Sequence, residues 1–161
     1  MNDLTDAGVL APVCKQLTVR LAQQEAFELF TAGLSRWWPL ATHSCSQANA
    51  LRVVIEPRAG GSVLEHARDG STAPWGTVLV WDPPHRFAMS WHPASVPEQA
   101  TRVDVSFSDA GQGLCRVELV HSGWEARGTE AGTVRGRYDG GWNVVFAAYE
   151  AAARGGFGGG R

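Results

Sequence analysis

The fold class is indicated most clearly by residues 102–121, which read RVDVSFSDAGQGLCRVELVH. Apolar residues alternate with polar ones on both sides of its turn sequence SDAGQG. The inward set comprises Val103, Val105, Phe107, Cys115, Val117, Leu119 and His121. A period of two is typical of a strand with one buried face. Two such strands joined by a glycine-containing turn predict an antiparallel hairpin.

The same pattern recurs towards the N-terminus. Short apolar stretches bounded by Gly, Pro or Asp predict strands at residues 13–21, 51–57, 62–67, 75–81 and 86–91. The strand at 75–81 leaves one question open. Trp75 and Trp81 have the opposite parity to Val78, so the sequence alone does not say which face points inward.

Two segments have helical spacing instead. Apolar residues recur every three or four positions in residues 23–38, which predicts one helix that ends at Pro39. Residues 134–154 predict a long C-terminal helix. Its apolar stripe comprises Tyr138, Trp142, Val145, Phe146 and Tyr149. The adjacent Gly140 and Gly141 predict close packing of another backbone against this helix.

The composition is that of one globular domain, and the predicted strands and helices together place it in the α+β class. The chain has 161 residues, 44% hydrophobic and 19% charged, which excludes a disordered chain. Its net charge of -2 argues against a nucleic-acid partner. No apolar stretch reaches the roughly 18 residues that span a bilayer, and no signal peptide is evident, so we expect no membrane span and a cytoplasmic protein. We expect an N-terminal extension at 1–12, a domain at 13–154 and a flexible glycine-rich tail at 155–161.

A series of short motifs carries a family resemblance. They are Trp37-Trp38-Pro39, Pro57 with Gly60-Gly61, Gly76-Thr77-Val78, Asp82-Pro83-Pro84 up to Trp91, residues 103–107, His121-Ser122-Gly123-Trp124 and Gly141-Trp142. In order and spacing they resemble the START-like (SRPBCC) superfamily, in the branch similar to the C-terminal domain of the heat-shock-protein-90 ATPase activator. The resemblance implies a helix-grip fold, in which a curved antiparallel sheet of six to seven strands wraps a long C-terminal helix. It also implies a hydrophobic ligand cavity. We do not expect the chaperone role to transfer, because the chain has no room for the co-chaperone's separate N-terminal domain.

Seven tryptophans suggest what lines such a cavity. A close-packed interior rarely needs so many large flat side chains, so together they indicate an aromatic-lined pocket. The predicted ligand-binding residues are Phe30, Trp38, Met89, Trp91, Val105, His121, Trp142 and Phe146.

The polar candidates are few. His121 shares the inward parity of its strand, so it is either a satisfied core imidazole or the polar anchor of an apolar pocket, where it could act as an acid or base. Glu56, Glu65 and Glu118 fit solvated strand faces. His43 and Cys45 could join Cys115 and His121 around zinc, but no C-x-x-C or H-x-x-x-H pair supports a site. We therefore expect neither a metal nor another cofactor, and no catalytic residue can be assigned.

Three functions remain open at this stage. The leading one is a soluble domain that binds a small apolar or aromatic molecule without chemistry of its own. The second is a cyclase- or hydrolase-like enzyme that uses the same cavity with a histidine acid/base. The third is a protein-interaction or chaperone-associated module, and the sequence also leaves a homodimer open.

Overall fold

The computed structural model describes residues 10–155. It consists of a curled seven-stranded antiparallel sheet and a long C-terminal helix, which confirms the predicted α+β helix-grip fold. The predicted N-terminal extension and glycine-rich tail lie largely outside the described residues. No helix within 10–155 is both long and apolar enough to cross a membrane.

The sheet takes its order from successive hairpins. Its strands are β1 Val13–Val19, β2 Ala50–Ile55, β3 Ser62–Ala67, β4 Thr72–Asp82, β5 Arg86–Trp91, β6 Thr101–Gly111 and β7 Leu114–Ser122. The spatial order is β1-β7-β6-β5-β4-β3-β2, so the last strand in the chain, β7, pairs with the first, β1. The hairpin predicted at 102–121 is confirmed: Val105 lies opposite Leu119, and Val103 opposite His121.

The helices are α1 Gln23–Phe30, α2 Leu34–Trp37 and α3 Ala131–Arg154. Short 3-10 helices cover Gln47–Asn49, Pro97–Gln99 and Trp124–Glu130. The last of these leads into α3 and is interrupted at Gly128, whose backbone is not helical.

The single helix predicted over residues 23–38 is wrong, because α1 and α2 are separated by a turn. The Thr31 hydroxyl donates to the Phe27 carbonyl oxygen at 2.8 Å, and Gly33 is buried at the turn. A Cβ at Gly33 would lie 3.0 Å from the carbonyl oxygen of Leu29, tighter than most such contacts. The turn lets the Trp37 indole N–H donate to that same oxygen at 2.8 Å. Apolar spacing alone did not reveal this break.

Two β-bulges in β4 answer the question of its inward face. The pairing with β3 skips Trp75, and the pairing with β5 skips Leu79. Each extra residue shifts the alternation by one position. As a result Trp75 and Val78 are both buried, and Trp81 packs on the core aromatic Phe27 at a centroid distance of 5.2 Å.

Helix α3 buries the predicted stripe against the sheet, with Trp142, Val145, Phe146 and Tyr149 all buried and Tyr138 half-buried. The predicted close packing at its glycine pair is wrong. A Cβ at Gly140 would meet no described atom within 4 Å, and one at Gly141 would meet only His43 Cδ2 at 4.0 Å. Gly140 faces solvent, while Gly141 borders the cavity described below.

Candidate ligand-binding site

A cavity of about 500 Å³ lies between α3, β4 and β5 and the loop that follows α2. This volume is in the usual range for small-molecule sites. Its wall consists of Trp38, Thr42, His43, Ser44, Cys45, Trp75, Trp91, Pro93, Ala94, Arg127, Val134, Arg137, Tyr138, Gly141, Trp142 and Val145.

Four tryptophans form a continuous part of this wall, and each comes from a different element. Trp38 follows α2, Trp75 sits at the first bulge of β4, Trp91 ends β5, and Trp142 lies in α3. Neighbouring ring centroids are 5.2 to 5.8 Å apart, from Trp38 to Trp75, to Trp91, to Trp142 and back to Trp38. These separations are favourable for aromatic pairs. All four rings are at least nine-tenths buried.

His121 forms a hydrogen bond to Trp142 on the side away from the cavity. The Trp142 indole N–H donates to His121 Nδ1 at 2.9 Å, so Nδ1 carries no proton. The proton of the neutral imidazole therefore lies on Nε2, which is 2.7 Å from the Thr101 hydroxyl. That hydroxyl in turn donates to the carbonyl oxygen of Trp91 at 3.2 Å. Every polar atom of the imidazole is thus engaged.

The surroundings of His121 keep it neutral. It is fully buried, and the centroid of the Trp124 ring lies 4.1 Å from the centroid of its own ring. Burial lowers its pKa to about 3, because the imidazolium would lose its hydration. Of the two interpretations open from the sequence, these contacts favour the satisfied core imidazole, since His121 does not border the cavity and is separated from it by the rings of Trp142 and Tyr138.

Glu65 is fully buried, so the expectation of a solvated strand face is wrong for this residue. Its Oε1 accepts from the Trp75 indole N–H and the Cys45 backbone N–H, both at 2.8 Å, and its Oε2 accepts from the Ser46 backbone N–H at 2.7 Å. Burial raises the pKa of this carboxyl, but the donors of Cys45, Ser46 and Trp75 outweigh it and hold the pKa below its usual value. Glu65 therefore fixes both Trp75 and the loop at 45–46.

The loop that Glu65 holds supplies a polar edge of the cavity. The His43 ring Nδ1 is 2.7 Å from the Thr42 hydroxyl, and the His43 carbonyl oxygen accepts from the Trp38 indole N–H at 2.7 Å. Burial, followed by the Glu65 carboxylate, raises the pKa of the Cys45 thiol, which stays protonated at neutral pH. Among residues 10–155, no group of three or more His, Cys, Asp or Glu side chains is placed to hold a metal ion.

The opposite edge is basic. Arg127, from the 3-10 helix before α3, and Arg137 of α3 both border the cavity, with Tyr138 beside them. Burial raises the pKa of the Tyr138 hydroxyl, against smaller opposing effects of Trp91, Arg127 and Arg137. Although the Trp91 indole is near enough to act on Tyr138, its Nε1 makes no hydrogen bond of acceptable geometry with any described residue.

The predicted site residues divide into two groups. Trp38, Trp91 and Trp142 border the cavity. The others, Phe30, Met89, Val105, His121 and Phe146, are buried in the core and are not part of the cavity wall. Phe30 and Phe146 belong to an aromatic cluster on Tyr149, where the Phe30 ring lies 4.9 Å from the Tyr149 ring. Strand parity identifies the residues that point inward, but it does not say which of them fill the packed core and which line the cavity.

Sequence reasoning missed Glu65, Trp75, Arg127, Arg137 and Tyr138 as site residues. A signal existed for Glu65, because it has the same strand parity as Val63 and Ala67, which are both buried. Tyr138 stands four residues before Trp142, a spacing that puts both on one helix face. No pattern in the sequence distinguishes Arg127 from the other arginines.

The fold and the cavity together define a helix-grip protein built as a ligand-binding scaffold. Residues 21–153 match the family described as Activator of Hsp90 ATPase homolog 1-like protein, and the chain belongs to this family. The resemblance found in the sequence is therefore confirmed. No curated protein matches the chain.

Solved structures add three similar proteins. The anthrahydroquino-γ-pyrone synthase Txn09, complexed with SUM, is 33% identical over 88% of both chains with a TM-score of 0.56. CalC from Micromonospora echinospora, a self-sacrificing resistance protein, is 20% identical over 89% of this chain and 94% of its own, with a TM-score of 0.62. The Aha1 dimer from Colwellia psychrerythraea is 13% identical over 89% and 96%, with a TM-score of 0.65. The last two show likeness in fold only.

Proposed function

We propose that this chain binds a small planar aromatic molecule in the tryptophan-walled cavity. The observation that carries the proposal is the set of four tryptophan rings around about 500 Å³ of space. Three of their indole N–H groups are bonded to the protein, at His121, Glu65 and the His43 carbonyl oxygen. Each ring is at least nine-tenths buried, and the small part that borders the cavity is apolar carbon, which a flat hydrophobic ring system would cover.

The glycine pair of α3 offers a matched test. Gly141 borders the cavity with room for a Cβ, whereas Gly140 is exposed with no described atom near it. Leucine is a better helix former than glycine, so Gly141→Leu and Gly140→Leu should both fold with little change or a gain in stability. Only the leucine at 141 extends into the cavity.

The assay is the fluorescence of the neutral probe N-phenyl-1-naphthylamine. We expect wild type and Gly140→Leu to bind it and Gly141→Leu to lose at least about tenfold in affinity, roughly 1.4 kcal/mol. Equal binding by all three proteins would show that the probe sits elsewhere, and no binding by wild type would refute the proposal.

A second candidate is an enzyme that uses the same cavity, favoured by the 33% identity to the synthase Txn09. His121 is unsuited as its proton carrier, because both ring nitrogens are engaged and its pKa is about 3. His43 and Tyr138 border the cavity instead. The test is incubation with an anthrahydroquinone precursor, followed by mass spectrometry with Txn09 as positive control. Conversion that Gly141→Leu abolishes would support the enzyme, and its absence where Txn09 reacts would exclude this reaction.

A further inference from the structure

Two residues at the basic edge of the cavity, near Tyr138, have unused hydrogen-bond donors. The Trp91 Nε1 and the Arg127 Nε are both buried, and neither has a partner among the described residues. Trp91 is only 3% exposed, and both residues border the cavity. A buried donor without an acceptor carries a free-energy penalty, so these two groups are suited to an acceptor that the protein itself does not supply.

The charge at this edge has one sign. Among the described residues, the cavity wall contains Arg127 and Arg137 and no acidic side chain. The buried Glu65 is already occupied by the donors of Cys45, Ser46 and Trp75. No ion pair within residues 10–155 involves either arginine. A partly buried guanidinium without a counter-charge favours an anionic ligand, and its fork of donors fits a carboxylate.

We infer that the ligand is a planar aromatic acid, whose ring system contacts the tryptophans and whose ionised oxygen substituent lies at the Arg127 guanidinium and the Trp91 indole N–H. This inference rests on the proposed function and narrows its ligand class. An uncharged acceptor such as a carboxamide oxygen can pair with these donors but supplies no counter-charge to the Arg127 guanidinium, so the cavity should bind a charged substituent more tightly than an uncharged one.

A pair of isosteric probes tests the inference. Anthracene-2-carboxylate and anthracene-2-carboxamide share a shape and differ in charge, and their fluorescence anisotropy reports binding at pH 8. We expect wild type to bind the carboxylate about tenfold more tightly or better, as charge-assisted hydrogen bonds allow. Arg127→Gln should remove most of this preference, because it weakens carboxylate binding more than carboxamide binding. Arg154→Gln, on an exposed arginine in the last turn of α3, is the matched control and should retain it.

The outcomes separate the two proposals. If wild type binds carboxylate and carboxamide equally, the inferred acidic ligand is refuted even if the variants fold poorly. If Arg154→Gln loses the preference as Arg127→Gln does, the preference is a general surface-charge effect and the inference fails. If the protein binds neutral N-phenyl-1-naphthylamine but has equal affinities for the two anthracene probes, the proposed aromatic cavity is supported and only the inferred acidic ligand is refuted.

Discussion

Replacing His121 by glutamine should change how stability depends on pH. The imidazole is fully buried, accepts from Trp142 at Nδ1 and donates to the Thr101 hydroxyl from Nε2. Glutamine keeps one acceptor and one donor but takes up no proton near neutral pH. The substitution therefore removes a titrating group from the core while leaving a polar side chain in its place.

The size of the effect follows from the pKa. Burial lowers the pKa of His121 from 6.5 to about 3. Between these values the unfolded chain binds a proton that the folded protein excludes, so stability falls as pH falls from 6.5 towards 3. Above pH 6.5 the residue is neutral in both states and contributes no pH dependence. At about 1.4 kcal/mol per pH unit, His121 should account for about 2 kcal/mol at pH 5 and about 4 kcal/mol near pH 3, where half of the folded molecules carry the proton.

Urea unfolding at pH 7 and pH 5 measures this effect directly. Other ionisable groups are common to both proteins, so the difference between their pH dependences isolates His121. We expect wild type to lose about 2 kcal/mol more than His121→Gln between the two pH values, whatever the variant's stability at pH 7. Equal losses would mean that the folded core accepts the proton, and the neutral His121–Trp142 network would be refuted.

Two further variants test packing by urea unfolding at pH 7. Glu65→Gln places an amide N–H group against a backbone donor of Cys45 or Ser46, so we expect the free energy of unfolding to fall by about 1 to 3 kcal/mol. A change within about 0.5 kcal/mol is typical of surface positions and would contradict the buried carboxylate. Gly76→Ala should cost about 3 kcal/mol or more, because its Cβ would overlap the carbonyl oxygen of Ser90. Wild-type stability in that variant would show that β4 and β5 are not held at this distance.

Much of the fold was predictable because strand alternation and turn residues are local signals. The hairpin at 102–121 buries the face that the sequence predicts. A shift of the pairing register by one residue would expose these apolar side chains to solvent. The break after α1 was not predictable in the same way. It depends on the fit of Gly33 against Leu29 and on the bond from Thr31 to Phe27, which apolar spacing does not encode. The bulges at Trp75 and Leu79 likewise arise from pairing between strands.

The site was less predictable, since the sequence identifies inward residues without locating the hollow among them. Of the residues predicted to bind a ligand, Trp38, Trp91 and Trp142 border the cavity, whereas Phe30 and Phe146 fill the core elsewhere. A cavity exists where side chains from several elements fail to meet, and that depends on long-range packing.

The two buried polar residues have one physical role in common. His121 accepts from the Trp142 indole, and Glu65 accepts from the Trp75 indole. Each satisfies an N–H group that would otherwise be unpaired at the cavity wall, and each fixes one ring. Because these acceptors lie behind the tryptophans, they shape the cavity without presenting a charge to the ligand. The acid group of the ligand inferred above would then be recognised by Trp91 and Arg127, which both border the cavity and whose Nε1 and Nε atoms have no partner within residues 10–155.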